Sequence, residues 1–266
     1  TVGMLTATVI VGYTQLGAQR WLSVGNVLVQ PSEFAKVLVV ITLAKFLADH
    51  QKDMDRLRMI LFSLAMVTLP VFLIYQEPDL STAISLLVAW GVMVVMAGMR
   101  TLHMALLGGT MLFSLPVIWF NLQGYQRDRV LLFLDPSRDE FAQYNIDQGS
   151  GGWLGQGYGS GIQTQGRFLK VRHTDFIFSV VGEEMGWVGA VLLMVLLFIV
   201  ILRILRAATL ARDAYGRLIA VGVATIISFQ AVVNISMNLG LSPVTGIPLP
   251  FVSYGRSSLL TLLVGI

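Results

Sequence analysis

No cysteine occurs in the 266 residues, which removes disulfides, thiolate metal ligands and a cysteine nucleophile from consideration. Charge is nearly as scarce: Asp, Glu, Lys and Arg make up 12% of the chain, where a soluble domain carries about a quarter. A surface so poor in charge faces something other than water. Only three histidines are present, His50, His103 and His173, and no two stand at helical ligand spacing, so a zinc site is not expected. The phosphate-cradling pattern GxxxxGK[ST] is also absent, which leaves a built-in ATP motor unsupported. No nucleic-acid partner is expected.

What the chain does have is apolar length. Hydrophobic residues make up 55% of it and the mean hydropathy is +0.75. Several runs approach the ~20 residues that cross a bilayer as a helix, and the ten-residue alternation of a membrane barrel is not seen. The expected fold class is all-α: a polytopic helical membrane protein forming a single transmembrane domain over residues 1–266. Eight spans are read between charge and turn clusters: Thr1–Leu16, Pro31–Ala48, Met59–Gln76, Leu80–Gly98, Leu102–Asn121, Phe176–Leu202, Leu218–Leu239 and Val252–Ile266. The chain begins at Thr1 without Met and stops at Ile266 inside an apolar run, so further spans are expected at both ends.

The calculated pI is near 9.3, and the position of the basic residues sets orientation. Alternate short loops hold Lys52, Arg56, Arg58, Arg100, Arg203, Arg206, Arg212 and Arg217, whereas those on the other side hold Arg20 alone before the last span. By the positive-inside rule the first set is cytoplasmic. The long segment 122–175 then falls on the outer side. It carries "GSGGWLGQGYGSGIQTQG", Gly149 to Gly166, and the cations Arg127, Arg129, Arg167, Lys170 and Arg172. A flexible linker is one reading. Its charges and aromatics favour an ordered loop that meets an anionic or sugar-bearing ligand.

Ionisable groups inside a span cost a few kcal/mol unless paired or wetted, so each is a functional candidate. Glu33 and Lys36, in "QPSEFAKVLVV", share a helix face. They form either a helix-start salt bridge or a place where an anionic headgroup meets Lys36. In "YQEPDLSTA", Asp79 suits the N-cap of the span beginning at Leu80. Arg127 and Arg129, in "GYQRDRV", point the same way if that segment is extended. Together they suit bidentate phosphate binding, with interfacial snorkelling as the alternative. Asp175 precedes the sixth span and reads as a cap, while Glu183 and Glu184 lie two turns inside it and call for a polar cavity open to the outer face. "NISMNLGLSPVTGIPLPFVSYGRSS" is too dense in proline and glycine to continue a helix, so it reads as a broken or re-entrant outer element bearing Asn234, Asn238, Ser253 and Tyr254. Such backbone is tolerated at membrane depth only against protein or water.

"GAQRW", "QPSEFAK", "QEPDLSTA", "GSGGWLGQG", "HTDFIFSVVGEEMG" and "GIPLPFVSYG" follow one another in the order of the SEDS family. The chain resembles its RodA branch most closely, and the FtsW branch is similar. The resemblance covers nearly the whole chain and implies about ten spans in the intact fold. It implies a multi-pass protein of a bacterium's cytoplasmic (inner) membrane, an inverting glycosyltransferase that polymerises lipid II, the undecaprenyl diphosphate disaccharide-pentapeptide, for elongation and shape. Asp175 then becomes the essential acidic residue, acting as general base on the acceptor hydroxyl or holding a divalent metal, Mg or Mn, against the leaving diphosphate. No organic cofactor is expected. Glu33, Lys36, Arg20, Arg127, Arg129 and Ser253 are the candidates for substrate contact, with Asp79, Glu183, Glu184 and Asn234 supporting the same cavity. The implied partners are a class B penicillin-binding protein transpeptidase and other elongation-machinery proteins. A lipid II flippase and a scaffold that only recruits the transpeptidase are the competing functions. Two departures from the family pattern stand out. Family members carry a few more residues between the position of Gln148 and "GSGG", and Arg256 replaces a glycine of the last motif.

Overall fold

The computed structural model describes residues 2–11, 13–15, 18–24, 27–77, 79–134, 152–157, 175–253 and 256–265. Among these the helices are α1 (Val2–Val11), α2 (Pro31–Asp49), α3 (Leu57–Gln76), α4 (Leu80–Met96), α5 (Thr101–Asn121), α6 (Gly124–Leu134), α7 (Ile177–Leu210), α8 (Ala214–Asn238) and α9 (Arg256–Gly265). Three of them, α3, α7 and α8, are long and apolar enough to cross a membrane, and α4 and residues 101–114 of α5 are shorter apolar stretches. The chain divides into two compact units, one of Thr1–Gly109, Ile201–Phe229 and Arg256–Ile266, the other of Thr110–Val200 and Gln230–Gly255.

In the first unit α2, α3 and α4 pack on one another and α1 packs on α3. Leu43, Ala44, Leu47, Ile60, Met93 and Leu218 are fully or almost fully buried there. Polar ties at the helix ends fix an up-and-down arrangement. At one end Arg100, after α4, donates to Asp55, before α3, at 2.7 Å. At the other, Gln30 before α2 donates to Asp79 before α4 at 3.5 Å. The loops that hold Asp55 and Arg100 thus lie on one side, as their basic residues lead one to expect.

In the second unit Phe178, Leu197, Ala231 and Leu249 form a buried cluster that Ile235, Phe251 and Val252 cover. On α5, Met111, Leu112, Phe113 and Phe120 are at least two-thirds exposed. Side chains of that size cost little when exposed to hydrocarbon, which makes this a lipid-facing surface.

Two spans differ from the sequence expectation. The first helix stops at Val11, and β1 (Tyr13–Gln15), β2 (Ala18–Val24) and β3 (Val27–Val29) form an antiparallel ribbon in the order β1-β2-β3. Tyr13 pairs with Trp21 and Leu22 with Val29. Gln15, Gln19 and Arg20 are expensive inside a membrane helix, whereas antiparallel pairing satisfies the backbone without one. The sixth span is longer than expected and is not one helix. At Gly186 the backbone leaves helical geometry, with φ 68° and ψ −166°, a region open essentially to glycine alone.

Candidate active site at the entry to α7

The first α-helical bond of α7 runs from the Val180 amide to the Phe176 carbonyl, so Phe176 is the capping position and Ser179 the third residue of the helix. The sequence offers Asp175 as the cap. The structure gives that work to Asn238, at the end of α8, whose Oδ1 accepts from the Ser179 amide at 3.2 Å and from its hydroxyl at 2.7 Å. A side chain from another helix thereby satisfies one of the four amides that every helix start leaves without a partner.

Asp175 is instead held by its main chain. Its carbonyl accepts from Asn234 Nδ2 at 3.0 Å and from Asn238 Nδ2 at 3.2 Å. Asn234 also donates to the Ile247 carbonyl at 2.6 Å, and Asn238 to the Asn234 carbonyl at 2.8 Å. Both asparagines are buried, so these bonds form where an unsatisfied amide costs about 1–3 kcal/mol. The Asp175 carboxylate lies beside Gly246, where an added Cβ would stand 3.6 Å from Oδ2. Residue 175 is half-buried and stands just before the start of α7.

The segment after α8 is irregular, as its prolines and glycines lead one to expect. Its backbone groups find specific partners: Ile247 on Asn234, and the Leu249 amide on Ser253 Oγ at 2.7 Å. Phe251 takes φ 65°, a strained value for a bulky residue, and packs on the buried cluster of Phe178 and Leu249.

At the other end of the entry arm, residues 152–157 close the break at Gly186. The Gln156 and Gly157 amides donate to the Glu183 and Glu184 carbonyls at 3.0 and 3.1 Å. In return the Trp187 and Val188 amides donate to the Gly152 and Trp153 carbonyls at 2.9 and 3.2 Å. The two carbonyls that end one arm and the two amides that begin the next are all paired, which a broken helix in a membrane protein requires. The approach is backbone to backbone. A Cβ on Gly155 would collide with the Glu184 carbonyl, and one on Gly186 with Gly155. Trp153 and Trp187 meet edge to face, 5.4 Å between centroids.

Glu33 and Lys36 form a buried ion pair at 2.8 Å, beside a cavity of about 20 Å³ that Val223, Thr261 and Gly265 help to line. That volume holds about one water, and the two side chains make the helix-start salt bridge of the first reading. Asp79 is the N-cap of α4, accepting from the Thr82 amide at 3.1 Å and its hydroxyl at 2.9 Å.

Arg127 and Arg129 are not brought together. They sit on helix α6 and not on an extended segment, so two residues of separation turns them roughly 200° apart. Arg127 donates to the Trp119 carbonyl at 3.0 Å and to that of Phe120, closing the end of α5, and Arg129 is exposed. Ser253 closes its own turn. Glu183 is buried and Glu184 half-buried, and their carbonyls belong to the break. Arg20 lies on β2 and Arg256 opens α9, with side chains outside the described part; Pro78, Tyr254, Arg167, Lys170, Arg172 and most of Gly149–Gly166 lie outside the described residues. Ser179, Gly155, Gly186 and Gly246 join the site although sequence reasoning gave them no role, and Asn238, read only as part of the outer element, becomes the cap. Only the "NISMN" spacing, two asparagines four apart on one helix face, could have pointed to Asn238.

Fold and site together define a multi-pass helical membrane protein with a carboxylate at the mouth of a discontinuous helix. The family model for the FtsW/RodA/SpoVE cell cycle proteins matches residues 1–266. The chain belongs to that family. It is 38% identical over 269 residues to the peptidoglycan glycosyltransferase MrdB of Escherichia coli K12, covering 98% of this chain and 72% of that protein. Among solved structures it is similar to a chain from a study of how a peptidoglycan synthase complex coordinates polymerization and crosslinking. That match has a TM-score of 0.84 and 34% identity and covers 99% of this chain and 75% of the other. A second match is the rod shape determining protein RodA of Thermus thermophilus, with TM-score 0.69, 30% identity and coverage of 99% and 72%.

Proposed function

We propose that the protein is a peptidoglycan glycosyltransferase that polymerises lipid II at the outer face of the cytoplasmic membrane, with Asp175 as its reacting side chain. The single observation that carries this is the division of labour at the α7 entry. Asn238 caps the helix, and Asn234 and Asn238 hold the Asp175 carbonyl, so neither task falls to the carboxylate beside Gly246. Kinship with a named peptidoglycan glycosyltransferase supplies the reaction class.

In this reading the acceptor sugar hydroxyl attacks the anomeric carbon of a second lipid-linked disaccharide. The new C–O bond forms as the bond to undecaprenyl diphosphate breaks, with inversion. The hydroxyl proton passes to Asp175, a transfer worth about 10²–10⁴-fold in rate. Fixing the Asp175 carbonyl and the helix start that follows it keeps the carboxylate within reach of that proton.

Among the described residues no group of three or more His, Asp or Glu could hold a metal ion. One carboxylate fits Mg²⁺ or Mn²⁺ only where a substrate diphosphate supplies further oxygens, and Asp175 is the residue that would hold such an ion. When bound, it would offset charge on the leaving diphosphate. A class B penicillin-binding protein is the proposed partner, and elongation and cell shape the proposed process.

The test is polymerisation of lipid II by the purified protein with its partner in detergent, read as glycan strands on a gel. Strands from the intact protein that vanish on Asp175→Asn support the enzyme. No polymer from the intact protein, with lipid II crossing liposome membranes instead, assigns it to the flippases.

A further inference from the structure

The entry arm of α7 is gripped at both ends. Asn234 and Asn238 hold its start. Residues 152–157 hold its end through four backbone hydrogen bonds across the break. The arm they hold is about nine residues long, Ile177 to Met185, a little over two helical turns. We propose that residues 152–157 are a positioning clip for the reaction, with Gly155 and Gly186 as its positioning residues: the closed clip sets the angle of the arm and, through it, where the Asp175 carboxylate stands. The proposal rests on the reading of Asp175 as the reacting group.

Three observations carry it. The helix is broken by a backbone conformation and not by proline, so the hinge at Gly186 has no fixed angle of its own. The clip reaches that hinge from a segment some thirty residues earlier in the chain, using main-chain groups on both sides. The approach also leaves no space for a Cβ on either Gly155 or Gly186, so one methyl group forces the two backbones apart. A displacement near 1 Å far from the chemistry can cost about a hundredfold in rate.

The experiment compares Gly155→Ala and Gly186→Ala in the full protein with its partner, measuring steady-state lipid II polymerisation and amide hydrogen exchange. Gly98→Ala is the control for backbone strain, since Gly98 also has positive φ (106°) but nothing within 4 Å of its Cβ site. The clip predicts that kcat falls about a hundredfold with KM within about twofold. Exchange protection is lost over 177–188 and 152–157, α3 and α4 keep theirs, and Gly98→Ala turns over normally. Should Gly186→Ala fail to accumulate, Trp153→Ala removes the 5.4 Å contact from an exposed side chain and should lower kcat about threefold.

Unchanged kcat with the local protection lost overturns the proposal. So does protection lost throughout the chain in step with activity, which makes the glycines requirements of folding alone. A wild-type rate from Asp175→Asn overturns the reading of Asp175 instead, and the exchange pattern still decides whether the clip closes the hinge.

Discussion

Glu33 and Asp175 both stand at the start of an apolar helix, and the chain treats them in opposite ways. Glu33 lies in the first turn of α2 and is neutralised on the spot by Lys36, three residues on, with both side chains buried. Asp175 stands just before α7, and two neutral amides bind its carbonyl. The first arrangement spends a charge on structure. A buried ion pair of this kind returns little net stability, because desolvation offsets the attraction, but it cannot tolerate the loss of one partner. The second arrangement fixes position through the backbone and assigns the capping duty to Asn238. The lesson is that a carboxylate's role is read from what holds its main chain as much as from what faces its oxygens.

The comparison is sharpest under single substitutions. Asp175→Asn keeps the carbonyl, the size and the asparagine contacts but cannot accept the proton. Turnover should fall about 10³-fold, while the thermal midpoint in detergent stays close to that of the parent. A large drop in the midpoint would make Asp175 structural after all. Lys36→Met should do the reverse, leaving Glu33 buried without its cation at a cost of about 3–5 kcal/mol. Unfolding measurements on the double variant Glu33→Leu/Lys36→Met should recover most of that loss. If the double variant is as unstable as the single, the pair is doing more than cancelling its own charge.

Asn238 serves both ends of the contact, since it caps α7 with its oxygen and holds Asp175 with its nitrogen. Asn238→Ala removes both and should cost about 1–3 kcal/mol, with roughly tenfold lower turnover. Asn238→Asp keeps the acceptor for Ser179 and loses the donor to the Asp175 carbonyl. Its stability loss should be the larger, because a buried carboxylate oxygen then faces the Asp175 and Asn234 carbonyls, and its turnover should fall at least as far as that of the alanine variant. Equal turnover to wild type in Asn238→Asp would show that the carbonyl contact is dispensable.

Much of this molecule is legible in its apolar runs, because a bilayer leaves few solutions to an uncharged stretch of twenty residues. The read spans Met59–Gln76, Leu80–Gly98 and Leu102–Asn121 fall within a few residues of α3, α4 and α5. The Asp79 cap was legible too, since "PDLSTA" places an acceptor three residues before a threonine amide. The break at Gly186 was not. "EEMGWVG" offers two glycines, and which one leaves the helix is decided by the arrival of residues 152–157, a contact between distant parts of the chain. The ribbon after α1 was missed for a similar reason: cross-strand pairing between Tyr13 and Trp21 or Leu22 and Val29 joins residues that local sequence does not link. Asp175 came out of the resemblance. The bare sequence gave it the cap that the structure hands to Asn238.

Arg127 is where the comparison between structural and functional charge can be pressed at its weakest point. Placed on α6, its guanidinium donates to the carbonyls of Trp119 and Phe120, the unsatisfied acceptors that end α5. A cation at a helix C-terminus is worth about 0.3–1 kcal/mol. Arg127→Ala should therefore lower stability by no more than that, with KM for lipid II within about twofold of the parent. Arg129, exposed and roughly 200° away around the same helix, cannot take over a shared phosphate contact. If Arg127→Ala instead raises KM more than about tenfold without lowering the thermal midpoint, the guanidinium leaves its carbonyls for the diphosphate when substrate binds. The cap would then be a resting place and not the function.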